Sequence, residues 1–355
     1  MNDRIKVLML GPARSVKGGV SGVVNNLYDA GLGDTVSIKY IPTMKDGSKL
    51  RKLLVAGIAY IRAGLSMGRY DIVHINMACG ASYYRKSLFI KMAIRKGKKL
   101  VIHQHGGDVE AFYKGTLKGA ARQEMLRLLN SCSAFIVLAD KFRDFFSDII
   151  TDKDKIYVLP NAVAVPEDDK TGSDHKSHDI LFLGRICRDK GCEELVDAVE
   201  ELAADYPDIR LHMGGFFEDS SLRDKVLRDP EHIIFEGWVD PAGREELFRT
   251  CPIFVLPSYY EGMPLSLMEA MAYKRACIAS DVGDIRNMMT VDDESQLCGL
   301  LIPPRDMPAL KNAITKLLAD PKLCGELGTA ARNKAVKSYS AVAMRDKLVE
   351  IYQKI

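Results

Sequence analysis

The chain lacks any Cys-x-x-Cys pair. Its eight cysteines, at positions 79, 132, 187, 192, 251, 277, 298 and 324, are scattered. That excludes a zinc-ribbon or dense disulfide framework and fits small buried thiols in a reducing compartment. Long hydrophobic runs are also missing: no stretch approaches the roughly 18 apolar residues that cross a bilayer. No secretory leader is expected, because Met1–Lys6 leads directly into Val7-Leu8-Met9-Leu10 and Gly11-Pro12. There is no low-complexity segment and no close internal repeat. Aromatic residues are ordinary at 8%, with a single tryptophan, and the basic residues fall in no DNA- or RNA-binding motif. A nucleic-acid partner is therefore not expected. Together these absences describe a cytoplasmic protein, either free or peripheral on a membrane face.

What is present is enough for two domains of ordinary size. The chain has 355 residues, 47% hydrophobic and 27% charged. The net charge of +3 conceals an asymmetry. Residues 1–170 carry 27 Lys and Arg against 16 Asp and Glu, whereas residues 171–355 carry 23 against 31. A basic half beside an acidic half suggests that one of them faces a polyanion or an anionic surface. The strongest basic run extends from Arg85-Lys86 to Lys98-Lys99 without an acid, interleaved with Leu88, Phe89, Ile90, Met92 and Ile94. It reads either as a membrane-surface amphipathic helix or as a helix packed on a sheet with a solvated basic rim.

Short apolar runs alternate with amphipathic segments throughout. Strands are expected at 5–10, 36–40, 71–76, 100–103, 134–138 and 156–159, with helices between them. One of these helices runs from about Leu50 to Met67 and carries Lys49, Arg51, Lys52 and Arg62 nearby. Residues 166–178 are polar and aperiodic, as a linker would be. The alternation restarts with strands at 179–183, 210–213, 233–235, 253–256, 276–280 and 299–302, and a helical tail follows Pro308. This is an α/β pattern with parallel sheets covered on both faces. Such sheets bind ligands beyond the carboxyl ends of their strands.

Several motifs sit at those ends. Gly18-Gly19 lies between the first strand and first helix, where glycine lets backbone approach a phosphate or sugar. A plain tight turn is the alternative. The segment matches neither Walker A nor Gly-x-Gly-x-x-Gly. Arg185 and Lys190, in Gly184-Arg185-Ile186-Cys187-Arg188-Asp189-Lys190-Gly191, follow another strand and together suit a diphosphate, although such charges often mark only a solvated loop. His103 and His105 close a third strand. A metal pair there lacks a third ligand, since Asp108 is the only nearby carboxylate, and no metal is expected. His74 ends its own strand, either lining an acceptor site or buried in the core. Glu261 and Glu269 are eight apart, with Gly262-Met263-Pro264-Leu265 after the first, at a predicted strand–turn–helix.

The stretch Pro257-Ser258-Tyr259-Tyr260-Glu261-Gly262-Met263-Pro264-Leu265-Ser266-Leu267-Met268-Glu269 resembles the Glu-x7-Glu signature of retaining glycosyltransferases of family 4. Gly184-Arg185 followed by Asp189-Lys190-Gly191 resembles that family's diphosphate loop. Leu159-Pro160-Asn161-Ala162 resembles its element at the domain crossover, placing Asn161 at the hinge or cleft. The N-terminal motifs Val16–Ser21, Tyr83–Lys86 and His103–Gly107 look like those of bacterial enzymes that build surface polysaccharide.

The resemblance implies a GT-B fold, with two Rossmann-like domains facing across a deep cleft. It implies an acceptor domain 1–166, a donor domain 167–340 and a helix 341–355 returning to the first. A UDP-, GDP- or ADP-sugar is the implied donor. The acceptor is a glycan or polyprenyl-diphosphate-linked saccharide, reached at an anionic membrane surface through the basic first domain. No cofactor or metal is implied. Arg185 and Lys190 would bind the diphosphate and Glu269 the ribose. Glu261 and His105 would contact the donor sugar, and Gly262, Met263, Pro264 and Leu265 would frame the phosphates. Trp238 and Val239 mark the place where the base is gripped, although Trp238 alternatively packs in the core. Met213-Gly214-Gly215-Phe216-Phe217 departs from the family's Gly-x-Gly turn. A nucleotide-sugar epimerase and a noncatalytic nucleotide-sugar binder share this architecture. Turnover of the free nucleotide sugar separates the three.

Overall fold

A computed structural model describes residues 4–106, 109–172, 177–291 and 296–355. The chain forms two compact units. One comprises residues 1–162 with 341–355, and the other residues 163–340.

In the first unit six strands form one parallel sheet: β1 (Lys6–Pro12), β2 (Ser37–Met44), β3 (Ile72–Met77), β4 (Lys99–Gln104), β5 (Ala134–Val137) and β6 (Ile156–Val158). Their spatial order is β2-β1-β3-β4-β5-β6, so the winding reverses between β1 and β3. β3 is buried along its whole length, as expected of a central strand covered on both faces. The helix Ala81–Arg95 buries Phe89, Ile90, Met92 and Ala93 against this sheet. The basic run is therefore a core-packed helix with a charged rim, and its membrane-surface reading is corrected. Its Lys86 is fully buried.

The helix Ala341–Lys354 completes the first unit. Tyr352 Oη lies 2.6 Å from His74 Nδ1, and Arg345 donates to the Ala30 carbonyl at 2.6 Å. His74 is fully buried. Its role lining an acceptor site is thus corrected: it packs β3 against the returning helix.

The second unit contains β7 (Asp179–Ile186), β8 (Arg210–Phe217), β9 (Ile233–Gly237), β10 (Ile253–Leu256), β11 (Ala276–Ser280) and β12 (Gly299–Ile302). All pairings are parallel, and the order is β12-β11-β10-β7-β8-β9. This is the doubly wound Rossmann order, with its switch between β7 and β10. The polar segment before β7 is tied to this unit. Arg275, itself fully buried, donates to the Thr171 carbonyl at 2.6 Å, and Arg332 donates to the Pro166 carbonyl at 2.8 Å.

Candidate functional site

The β7 and β10 loops flank the switch point of the second unit. β7 delivers Arg185 at its end and Lys190 in the following turn. β10 delivers Ser258 and Glu261 ahead of the helix Leu265–Ala272. Gly191 makes this approach possible. Its φ is +65°, and a Cβ there would collide with the Pro257 carbonyl. The two loops consequently meet through a nearly buried ion pair: Lys190 Nζ donates to Glu261 Oε1, their side chains being 16% and 9% exposed. Ser258 Oγ donates to the same carboxylate oxygen at 2.9 Å.

Pro264 forms the N-terminal boundary of the helix Leu265–Ala272, and no side chain caps that end. First-turn N–H groups there suit an anion, both by hydrogen bonding and by the helix dipole. Glu269, one turn further on, receives Arg244 Nη1 at 2.8 and 3.1 Å. Arg244 lies on the helix Pro241–Thr250. That helix starts where Asp240 accepts from the Gly243 N–H at 2.8 Å and proline occupies the first turn. Burial raises the Glu269 carboxyl above its ordinary range, while the Arg244 charge and hydrogen bond pull it back.

Arg185 is more open and is paired with Glu218 just beyond β8. Trp238 is 49% exposed, so it is not a core-packing aromatic, and its ring centroid lies 6.3 Å from that of Phe216. Val239 is half-buried beside it. Thus the structure joins Lys190 directly to Glu261 and places Gly262, Met263, Pro264, Leu265 and Glu269 on the same loop and helix. Sequence reasoning missed Ser258, Glu218 and Arg244. Only Ser258, at the end of a buried strand in the same motif, carried a local signal.

In the first unit, Gly18 and Gly19 begin the helix Gly19–Asp29 at the carboxyl end of β1. Both are exposed, and a Cβ on either would meet nothing within 4 Å. Space, not backbone strain, is the feature of this turn. His105 follows β4 and is half-buried, with Nε2 2.7 Å from Asn76 Oδ1 and its ring 3.8 Å from that of His103. Burial first, with smaller contributions from His74 and Lys86, pushes the His105 imidazole down to about 3. It is therefore neutral near pH 7. With the proton on Nε2 donated to Asn76, Nδ1 carries a lone pair that is buried and has no hydrogen-bond partner among the described residues.

His103 is fully buried within β4 and is likewise held neutral by burial. Asp108 lies outside the described residues. Among the described residues, no cluster of three or more His, Cys, Asp or Glu side chains is placed to hold a metal. Asn161 is buried at the end of the first unit.

Comparison with known proteins converges on one family. The family model "Glycosyl transferases group 1" matches residues 166–334, and the model "Glycosyltransferase Family 4" matches residues 20–165. Among curated relatives, the α-maltose-1-phosphate synthase of Mycolicibacterium smegmatis is 29% identical over 231 residues, 58% of each chain. The phosphatidyl-myo-inositol mannosyltransferase of Mycobacterium tuberculosis is 29% identical over 178 residues, covering 50% of this chain and 47% of that protein. This chain thus spans about half to three-fifths of the length of those relatives. An Escherichia coli UDP-Gal:α-D-GlcNAc-diphosphoundecaprenol α-1,3-galactosyltransferase is 24% identical over 341 residues, 90% of this chain and 84% of that one.

Of solved structures, sucrose-phosphate synthase from Thermosynechococcus elongatus superposes with a TM-score of 0.75 at 19% identity, covering 99% of both chains. Anabaena HepE in complex with UDP and glucose gives 0.75 at 14% identity, covering 99% of this chain and all of that one. These likenesses establish the GT-B fold. With the two family models running from residue 20 to residue 334, the chain belongs to the family 4 glycosyltransferases.

Proposed function

We propose that the protein transfers a hexosyl unit from a nucleotide sugar to a glycan or polyprenyl-diphosphate-linked acceptor, with retention of anomeric configuration, in bacterial surface-polysaccharide synthesis. It would work peripherally at the anionic inner face of the cytoplasmic membrane. The observation that carries the donor reading is the convergence of Lys190, Glu261 and an uncapped helix N-terminus at the switch between β7 and β10.

In this reading Arg185 and Lys190 receive the diphosphate and stabilise charge on the departing phosphate. That is where a preorganised cation acts most strongly on the transition state. Both cations now face carboxylates, Glu218 and Glu261, and the diphosphate takes over part of their coordination. Backbone N–H groups of Leu265 and the turn behind it add to the cradle, while Pro264 supplies none. Glu269 accepts the ribose hydroxyls. Glu261, released in part from Lys190, accepts from a hydroxyl of the donor sugar and does not act as a nucleophile. His105, neutral, contacts a hydroxyl of the donor sugar. The acceptor attacks the face that the diphosphate leaves, and the leaving phosphate takes its proton. The reaction proposed uses no metal or other cofactor, so its rate should be unchanged by a chelator.

A thermal-shift panel of UDP, GDP, ADP and their sugar conjugates tests the donor site, since a ligand that binds only the native state raises the melting temperature. One nucleotide family should stabilise the protein, and Arg185→Ala and Glu269→Ala should both abolish the shift. No shift with any nucleotide would overturn the donor reading. With the donor known, the anomeric configuration of the product, read by NMR, decides retention.

A further inference from the structure

The helix Lys49–Ser66 is amphipathic in the wrong sense for a protein surrounded by water. The side it turns to the first unit is made of small residues: Ala59, Ala63 and Ser66 are its only buried positions. Large apolar side chains point the other way. Leu50, Leu53, Leu54, Ile58, Ile61 and Leu65 are 68, 70, 59, 56, 64 and 78% exposed. Five of them, Leu50, Leu54, Ile58, Ile61 and Leu65, recur at helical spacing and form one stripe. Leu88, exposed on the neighbouring helix Ala81–Arg95, lies one turn before Met92, whose methyl packs against Gly64. A contiguous apolar surface of this kind marks a place where something docks.

Charge indicates what docks there. Lys49, Arg51, Lys52 and Arg62 are all exposed on the same helix, Arg69 follows it, and no Asp or Glu occurs between Asp46 and Asp71. At 3.6 residues per turn, Arg51 and Arg62 fall on one shoulder of the stripe. A second copy of the chain, related by a two-fold axis, would set these cations against one another. An anionic lipid surface neutralises them while its acyl chains receive the stripe. Eighteen residues give a helix of about 27 Å, and no helix of the described residues is long and apolar enough to cross a membrane.

We propose that the helix Lys49–Ser66 lies in the plane of an anionic bilayer, with its leucine–isoleucine stripe in the interface and its basic residues on lipid phosphates. This assigns the membrane contact to a different helix from the basic run 85–99. It rests on the peripheral-membrane part of the proposed function and is independent of the donor site.

Co-sedimentation of the full chain with vesicles tests it. Phosphatidylcholine alone would be compared with phosphatidylcholine containing phosphatidylglycerol, at low and high salt. Wild type should bind the anionic vesicles, less so in salt. The double variant L54E/I61E should lose about tenfold or more of that binding, and L54Q/I61Q should lose somewhat less, both with unchanged melting temperature because the sites are exposed. R51Q/R62Q should lose about fivefold per charge, and R95Q/K96Q should bind much as wild type does.

Wild type that binds no vesicle overturns both the peripheral reading and this proposal, while nucleotide-dependent stabilisation still reports on the donor site separately. Wild type that binds, with L54E/I61E and L54Q/I61Q binding equally well, overturns the assignment to this helix and leaves the peripheral reading standing. A dimer in sedimentation velocity that L54E/I61E dissociates, without vesicle binding, gives the stripe to a second copy and likewise overturns the proposal.

Discussion

The two units treat buried polarity in opposite ways. The first disfavours charge in its interior: His74 and His103 are fully buried, half-buried His105 stacks on His103, and Lys86 is fully buried with Thr43 Oγ1 as its hydrogen-bond partner. The second pairs its groups with opposite charges: Lys190 with Glu261 and Arg244 with Glu269. The acidic half of the sequence therefore houses the candidate anion cradle, while the basic half spends its cations on the surface. Net charge by half is a statement about solvent-facing residues. A binding site is governed by the few charges held in place by strand ends.

Removing Lys190 breaks this contrast most severely. Lys190→Ala leaves the Glu261 carboxylate, 9% exposed, with only Ser258 as a neutral donor. Losing one partner of a nearly buried pair costs about 3–5 kcal/mol. Loss of a transition-state cation should lower transfer about 10²–10³-fold. Urea unfolding and initial rates measure the two effects. In the double variant K190A/E261A stability should recover while nucleotide binding does not. Recovery of both would mean that Lys190 is only a structural partner of Glu261.

Acid should strike the first unit before the second. Burial holds His74 and His105 down to about 3, well below the ordinary 6.5. Below pH 6.5 the unfolded chain binds protons that the native state refuses. Stability is therefore complete above that value and is lost as pH falls towards 3. For His74 this amounts to about 2 kcal/mol between pH 7 and pH 5. Glu269 runs the other way: its raised carboxyl favours the native state in acid and loses that contribution as pH rises. Hydrogen exchange at pH 7 and pH 5 should show β1, β3 and β4 losing protection first. Earlier loss in β7 and β10 would reverse the comparison, and His74→Gln should flatten the pH dependence of urea unfolding.

How much of this was legible in the sequence follows the same division. Strands at 253–256, 276–280 and 299–302 have the expected bounds, because each is a short apolar run closed by polar or turn residues. β8 runs four residues past its predicted end because Gly214-Gly215 continue pairing with β7 and do not turn. Glu261 and Lys190 were visible because both follow strands in dense local motifs. Arg244 and Glu218 were not, since each reaches its partner from a distant element, 25 and 33 residues away in sequence. The apolar stripe of Lys49–Ser66 was hidden for a related reason. Periodicity shows that a helix has two faces, but not that the small-residue face is the one that packs. The basic helix 81–95 misled in the complementary way, because its buried Lys86 looks like a surface cation.

A milder variant tests whether the carboxylates of the second unit compete with a ligand. Arg185 and Glu218 are 45% and 49% exposed, so their pair contributes at most about 1 kcal/mol. Glu218→Gln should leave stability almost unchanged and tighten nucleotide binding by up to about fivefold, because Arg185 no longer exchanges one anion for another. Isothermal titration would show it. Weaker binding would mean that Glu218 positions Arg185 instead of occupying it.

The smallest effect belongs to Lys86. Burial first, then the neighbouring Arg85 charge, pushes its amine well below the ordinary lysine range, so folding disfavours its charged form. Keeping the proton costs the native state more than the unfolded chain, a cost that falls as pH rises. Methionine is close in length and carries no charge to desolvate. Thr43 would keep its 2.8 Å hydrogen bond to the Gly11 carbonyl. Lys86→Met should therefore change stability by less than about 1 kcal/mol, or raise it, at pH 7. A loss of several kcal/mol in urea unfolding would show that the amine is charged in the native state and that the first unit holds an anion there, removing the contrast between the two interiors.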